Sequence, residues 1–176
     1  MIKPGPFAAG ISCTGIAFLL MLIVPNIIWT KRQPEGYAEY VKHENRILGW
    51  MENIGEVGSV FLLLAFKDFD PYIVSWKNGV MISFLNIYLV LIFALMVLYE
   101  IYWIRYFRSP RTMPDFYRGI AGIPLAGATI PVICLFLFAA YGRNPALASV
   151  AVIMGIGHIG IHYGHCKEAV KNTSAH

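Results

Sequence analysis

Apolar residues along this chain fall into five long runs, separated by short segments that carry most of the charged residues and prolines. Each run reaches the length of about 20 residues that an α-helix needs to cross the hydrocarbon core of a bilayer. The pattern therefore predicts an all-α, polytopic membrane protein with a single domain over residues 1–176. The five predicted transmembrane helices are residues 7–29, 47–66, 80–104, 120–141 and 146–165.

Composition agrees with this fold class. Apolar residues make up 57% of the chain and charged residues 14%, and the mean hydropathy is +0.59. Soluble domains average about 45–50% apolar and 25% charged residues. The first run follows Lys3 and is too long for the core of a signal peptide, so we expect it to remain in the protein as a span.

The basic residues predict an orientation. If five helices alternate in direction, ten of the 14 lysines and arginines fall on one side of the membrane, and cytoplasmic flanks are the side enriched in them. This predicts an N-terminus outside and a C-terminus in the cytoplasm. The net charge of +4 is then a topology signal, and no nucleic-acid partner is expected. Residues 37–45 interleave tyrosines with charges and are typical of a short amphipathic helix at the surface.

Polar side chains from four predicted spans fall in the cytoplasmic half of the membrane. At a rise of about 1.5 Å per residue, the polar side chains of the second span lie roughly 8 to 14 Å from its cytoplasmic end, inside the membrane. Ionisable groups at such a depth are costly and mark functional sites by default. We therefore predict a pocket open to the cytoplasm or the inner leaflet. The candidate ligand-binding residues are Asn26, Glu52, Asn53, Glu56, Glu100, His158 and His162.

The last span carries three histidines on one helical face. At about 100° per residue, His158, His162 and His165 point toward the same neighbour. His158 is the deepest of them, and His165 is interpreted as a solvated residue at the interface. The same span carries Gly155, Gly157, Gly160 and Gly164, with small-xxx-small spacing such as Gly160-xxx-Gly164 that lets helix backbones approach closely. Gly160 lies about 200° from His158, so the glycine face is predicted to pack on a different neighbour from the histidine face.

Three functions fit such a pocket. In the first, it binds a small cation or an amine-bearing, lipid-like ligand for a transporter or a sensor. The carboxylates offset the charge of this ligand, and Trp50, Tyr99 and Trp103 supply cation–π contacts. Whether the protein is an enzyme stays open, because the other two functions use the same groups for chemistry.

In the second, His158, His162, Glu52 and Glu56 bind a divalent metal that activates water or oxygen for lipid chemistry. In the third, glutamate and histidine act as acid and base on a lipid-soluble substrate without a metal. Haem is disfavoured as a cofactor, because histidines on one face of one helix cannot hold an iron from both sides.

Three short blocks inside the spans carry much of this polarity: PNIIWTK at residues 25–31, ENIGE at 52–56 and GHIGIH at 157–162. They resemble small multi-span membrane proteins of bacteria that carry no assigned activity. The resemblance implies a multi-pass protein of the bacterial plasma (inner) membrane and no particular reaction. The expected partners are membrane lipid and a small-molecule ligand. An odd number of spans argues against a complete inverted-repeat transporter in one chain, although a homodimer could restore the symmetry.

Overall fold

The computed structural model describes residues 6–71, 73–76, 79–82 and 86–173. This part of the chain is a helical bundle with one short antiparallel hairpin, in which Ile73 pairs with Ile82 and Trp76 with Gly79. The helices are α1 (Cys13–Thr30), α2 (Tyr37–Lys42), α3 (Arg46–Ala65), α4 (Ile87–Arg108), α5 (Met113–Tyr117), α6 (Ala126–Gly142), α7 (Pro145–Met154) and α8 (Gly160–Thr173). The strands are β1 (Ile73–Trp76) and β2 (Gly79–Ile82).

Four helices are long and apolar enough to cross a membrane. They are α1, α3, α4 and a continuous helix, Pro145–Asn172, in which a π-helical turn at Gly155–Ile159 joins α7 to α8. These four helices support the prediction of a membrane protein. The remaining predicted span corresponds to α6, which is apolar and has 17 residues.

Two predicted spans begin too early. The span 80–104 includes residues of β2, and its helix begins only at Ile87. The span 120–141 starts in a tight turn, in which the backbone N–H groups of Ile120 and Ile123 donate to each other's carbonyl oxygens, and α6 follows at Ala126. Apolar extended segments and apolar helices look alike in a hydropathy pattern, so neither boundary is visible in it.

The start of the first span and the end of the last span also differ from their predicted positions. The span 7–29 is helical from Cys13, where the Ser12 hydroxyl caps α1 by accepting a hydrogen bond from the backbone of Gly15 at 2.9 Å. The span 146–165 continues as a helix past its predicted end to Asn172. The span 47–66 matches α3 to within one residue at each end.

Glycines allow a close contact between α3 and the helix 145–172. An added Cβ on Gly157 would lie 2.4 Å from the backbone nitrogen of Glu52, and one on Gly55 would lie 2.4 Å from the Cβ of Met154. The helix 145–172 therefore packs on α3 almost backbone to backbone. Close packing through the glycines is thus found at Gly157, and a Cβ on Gly160 would lie 3.2 Å from the side chain of Leu48 on α3. The prediction is wrong for Gly164, where a Cβ would meet nothing within 4 Å.

Candidate functional site

A cavity of about 390 Å³ lies between α1, α3, α4, α5, α6 and the helix 145–172. One part of its wall is polar and is formed by Asn26, Glu52, Glu56, His158 and His162. The facing part is aromatic and is formed by Trp29, Tyr37, Tyr99, Tyr102, Trp103, Phe116 and Tyr117. Carboxylate, imidazole and aromatic groups thus line one cavity, which is partly open, since Asn26 and Glu56 are exposed.

Five of the seven predicted site residues line this cavity, and two do not. Asn53 is exposed, because it is turned by about 100° from Glu52 on the same helix. Glu100 is half-buried and lies outside the wall, whereas its neighbour Tyr99 is part of it. Trp50, expected to contact the ligand, is 70% exposed and is not in the wall either.

Glu52 and His158 are in direct contact. The Oε1 atom of Glu52 lies 2.5 Å from Nδ1 of His158, and this pair joins α3 to the helix 145–172. His158 belongs to the π-helical turn, a local widening of the helix that occurs often at functional sites. The absence of a side chain on Gly157 lets the two backbones approach closely enough for the pair to form.

His162 lies beside this pair. Its ring centroid is 4.6 Å from that of His158 and 5.7 Å from that of Tyr117. Within the described residues, no hydrogen bond joins its ring nitrogens to another side chain or to the backbone. One ligand atom each from Glu52, His158 and His162 all lie within 4.8 Å of one another. Glu56, the fourth predicted metal ligand, lines the cavity but is not part of this group.

His165 is buried, contrary to its interpretation as a solvated residue. It is 4% exposed, its Nδ1 atom lies 3.0 Å from the hydroxyl of Tyr117, and its Nε2 atom lies 3.3 Å from a carboxylate oxygen of Glu44. The rings of Tyr37 and Tyr40 in α2 also contact it. The interpretation failed because α2 folds over this end of the last helix.

Two hydroxyl groups that line the cavity lie outside the spans. Burial raises the pKa of Tyr37 above its ordinary value, and the negative charges of Glu44 and Glu52 raise it further. Burial likewise raises the pKa of Tyr117. Both side chains therefore stay protonated at neutral pH, and the hydroxyl of Tyr117 is already paired with Nδ1 of His165. The sequence pattern placed α2 at the surface and did not indicate that Tyr37 lines a cavity.

The aromatic wall is held by hydrogen bonds between α4 and its neighbours. Asn26 donates to the hydroxyl of Tyr99 at 3.1 Å, and the hydroxyl of Tyr102 donates to the carbonyl oxygen of Phe116 at 2.5 Å. The guanidinium of Arg105 donates to two backbone carbonyls that follow α5, each at 2.8 Å. These contacts fix α5 against α4 and so fix the rings of Phe116 and Tyr117 over the cavity.

The charges of the wall are acidic. Glu52 and Glu56 are the carboxylates in it, and no lysine or arginine occurs among the described residues that line the cavity. An anion in this cavity would therefore face two carboxylates without a basic partner.

Comparisons with known proteins do not identify a family. No protein-family model, no curated protein and no solved structure matches this chain. The resemblance to small bacterial membrane proteins stays a prediction, and a functional assignment depends on the chemistry of the cavity.

Proposed function

We propose that this chain is a multi-pass protein of the bacterial plasma membrane whose cavity binds a small amine-bearing amphiphile or organic cation. The observation that carries the proposal is the pairing of an acidic wall with an aromatic one in the same cavity. Aromatic rings attract ammonium groups through their negative faces, and cages of such rings recognise quaternary ammonium ligands. The volume of about 390 Å³ falls in the range typical of small-molecule sites.

The proposed topology has five spans, with α6 as the fourth. Its 17 residues extend about 25 Å, which is close to the hydrocarbon thickness, and its sides pack on α4 and α7. A link of two residues, Arg143 and Asn144, joins α6 to α7 as a helical hairpin. With the basic residues on the cytoplasmic side, the cavity opens toward the cytoplasm or the inner leaflet, and a transporter or a sensor is the type of protein that uses such a site.

The topology predicts that the two termini lie on opposite sides of the membrane. In sealed inside-out vesicles, we expect protease to remove an epitope tag from the C-terminus and to spare one on the N-terminus. Removal of both tags, or protection of both, would mean an even number of spans and would contradict α6 as a transmembrane helix. Solubilising the vesicles with detergent provides the control, because both tags then become accessible.

The function predicts selective binding of an ammonium group. We expect phenethylammonium to change the tryptophan fluorescence of the purified, metal-free protein in a saturable way, and the uncharged 2-phenylethanol to bind at least about tenfold more weakly. Glu56→Gln should weaken phenethylammonium binding about tenfold, because it removes one of the two carboxylates from the wall.

The matched control is Glu39→Gln. Glu39 is an exposed glutamate of α2 that forms an ion pair with Lys42 and does not line the cavity, so its replacement should leave binding unchanged. Equal affinity for the charged and the uncharged probe, or an unaltered affinity in Glu56→Gln, would refute the proposed ligand class.

A further inference from the structure

We propose that Glu52, His158 and His162 form a binding site for a divalent transition metal ion of the zinc type, with one coordination position open to the cavity. This inference goes beyond the amine site, because it assigns a different ligand, a metal ion, to three side chains of the same cavity wall. It rests on the geometry of three side chains, on their donor atoms and on the packing that holds their helices.

The separation of the donor atoms suits a metal. Ligands of a tetrahedral zinc ion lie about 2.0 to 2.2 Å from it, which places them about 3.3 Å from one another. The three candidate ligand atoms already lie within 4.8 Å of one another. Side-chain rotations of roughly an ångström bring them to coordination distance, with no movement of the helices.

The backbones that carry these ligands are fixed. Glu52 is on α3, and the two histidines lie one turn apart on the helix 145–172. The close approach at Gly157 and at Gly55 packs the two helices almost backbone to backbone beside the ligands. The ligand directions are therefore set before a metal arrives, which lowers the cost of ordering the site.

The type of donor selects the metal. Two imidazoles favour zinc, copper, nickel or iron over magnesium and calcium, which prefer a shell of oxygens. Two histidines and one glutamate form the ligand set of zinc sites that leave a position for water or substrate. In this protein that position would face the cavity, since all three side chains line it.

The contact between Glu52 and His158 leaves the ring nitrogens of His162 without a partner in the part of the chain that the structure describes. A carboxylate in contact with one imidazole is already a satisfied pair, whereas the ring nitrogens of His162 have no hydrogen-bond partner within the described residues. The His162 imidazole packs against the rings of His158, Phe116 and Tyr117 and lines the cavity, so its ring nitrogens are free to bind a ligand there. A metal shared with His158 supplies that partner.

The test uses the full-length chain, purified in detergent without a polyhistidine tag and stripped of metal by a chelator. Co²⁺ is added first, because its visible absorption reports the coordination of the ion, and Zn²⁺ is then added to displace it. We expect saturable binding of a single Co²⁺ per chain and full displacement by Zn²⁺. A wild-type protein that binds neither ion in a saturable way overturns the proposal.

Two variants test the assignment of the ligands. His162→Ala should lower the Co²⁺ affinity at least about 100-fold, and Glu52→Gln, which keeps the size of the side chain, should do the same. If His162→Ala does not fold, Glu52→Gln decides the matter. The matched control is His43→Ala, because His43 is exposed and lies outside the cavity. Unchanged affinity in a folded ligand variant overturns the site.

The two proposals, a metal site and an amine site, can be refuted independently of each other. Phenethylammonium binding is measured on metal-free protein, and Co²⁺ binding is measured without the amine. A chain that binds the amine but no Co²⁺ keeps the proposed function and loses the metal site. A chain that binds Co²⁺ but not the amine keeps the metal site and refutes the proposed function.

Discussion

Replacing Gly157 by alanine is expected to lower the free energy of unfolding by about 3 kcal/mol, and replacing it by leucine is expected to prevent folding. The added Cβ would lie 2.4 Å from the backbone nitrogen of Glu52 and 2.6 Å from the carbonyl oxygen of Leu48. Both atoms belong to the backbone of α3, so no side-chain rotation relieves the clash. The helix 145–172 would have to move away from α3 as a whole.

Alanine at Gly164 is the matched control. It is a glycine of the same helix, and an added Cβ there would meet nothing within 4 Å. Because alanine favours a helix over glycine by about 1 kcal/mol, this variant should be as stable as the wild type or more stable. Thermal unfolding of the purified proteins, followed by tryptophan fluorescence, measures the difference. If both variants unfold at the same temperature, the close approach at Gly157 does not exist.

The same variant connects packing to the site. Separation of the two helices at Gly157 also separates Glu52 from His158, whose contact spans that interface. We therefore expect the part of Gly157→Ala that remains folded to bind Co²⁺ more weakly, although the substitution removes no ligand. Gly164→Ala should bind Co²⁺ as the wild type does.

The apolar runs of the sequence predict the helices of this protein more accurately than they predict the contacts between those helices. Each long apolar run contains a helix, because the bilayer requires the backbone hydrogen bonds of a span to be satisfied internally. The pattern does not distinguish the apolar residues of β2 from the helix that follows them, since extended and helical apolar segments have the same composition. Packing and turn geometry, rather than hydropathy, set those boundaries.

The glycine face was assigned to a different neighbour from the histidine face, and this was wrong for a specific reason. The projection of Gly160 away from His158 assumes a regular α-helix with 3.6 residues per turn. The π-helical turn at Gly155–Ile159 widens the helix at that point and changes the angle between the residues on either side of it. As a result Gly157 packs on α3, the same helix that supplies Glu52, and the histidine face and the glycine contact share one neighbour.

The expected depth of each residue along its span was the signal that grouped the polar wall. If the spans alternate in direction as proposed, Glu52, Glu56 and His158 fall at similar depths, and all three line one cavity. Tyr37 and Tyr117 could not be predicted in the same way, because they come from short helices outside the spans. Where such segments fold depends on contacts such as the hydrogen bond between Tyr102 and Phe116, which local sequence does not reveal.

A second buried polar group lies outside the cavity. Asp68 follows α3 in a short 3₁₀ turn, is 1% exposed and accepts three hydrogen bonds. Its donors are the backbone N–H groups of Phe7 and Ala8, at 2.7 and 2.8 Å, and the side-chain amide of Asn144, at 3.0 Å. In the sequence, this aspartate is one of several polar residues in a link between apolar runs, and nothing there indicates that three distant donors converge on it.

Replacing Asp68 by alanine is therefore expected to lower the free energy of unfolding by about 3 kcal/mol. The change leaves three donors without an acceptor where water has little access, and each buried, unsatisfied group costs about 1 kcal/mol or more. Asp68→Asn should recover part of the loss, because its carbonyl oxygen still accepts hydrogen bonds. The thermal unfolding midpoint of each purified variant measures these differences.

Asp115→Ala is the matched control for this change. Asp115 also accepts hydrogen bonds, from the backbone and the hydroxyl of Thr112, but it does so at the surface as part of the N-terminal cap of α5. Water can replace it there, so its loss should cost about 1 kcal/mol. The prediction depends on the difference in burial between two aspartates with similar hydrogen-bonding roles. Equal destabilisation by the two substitutions would mean that water reaches Asp68, and that the network tying the chain start to Asn144 is not buried.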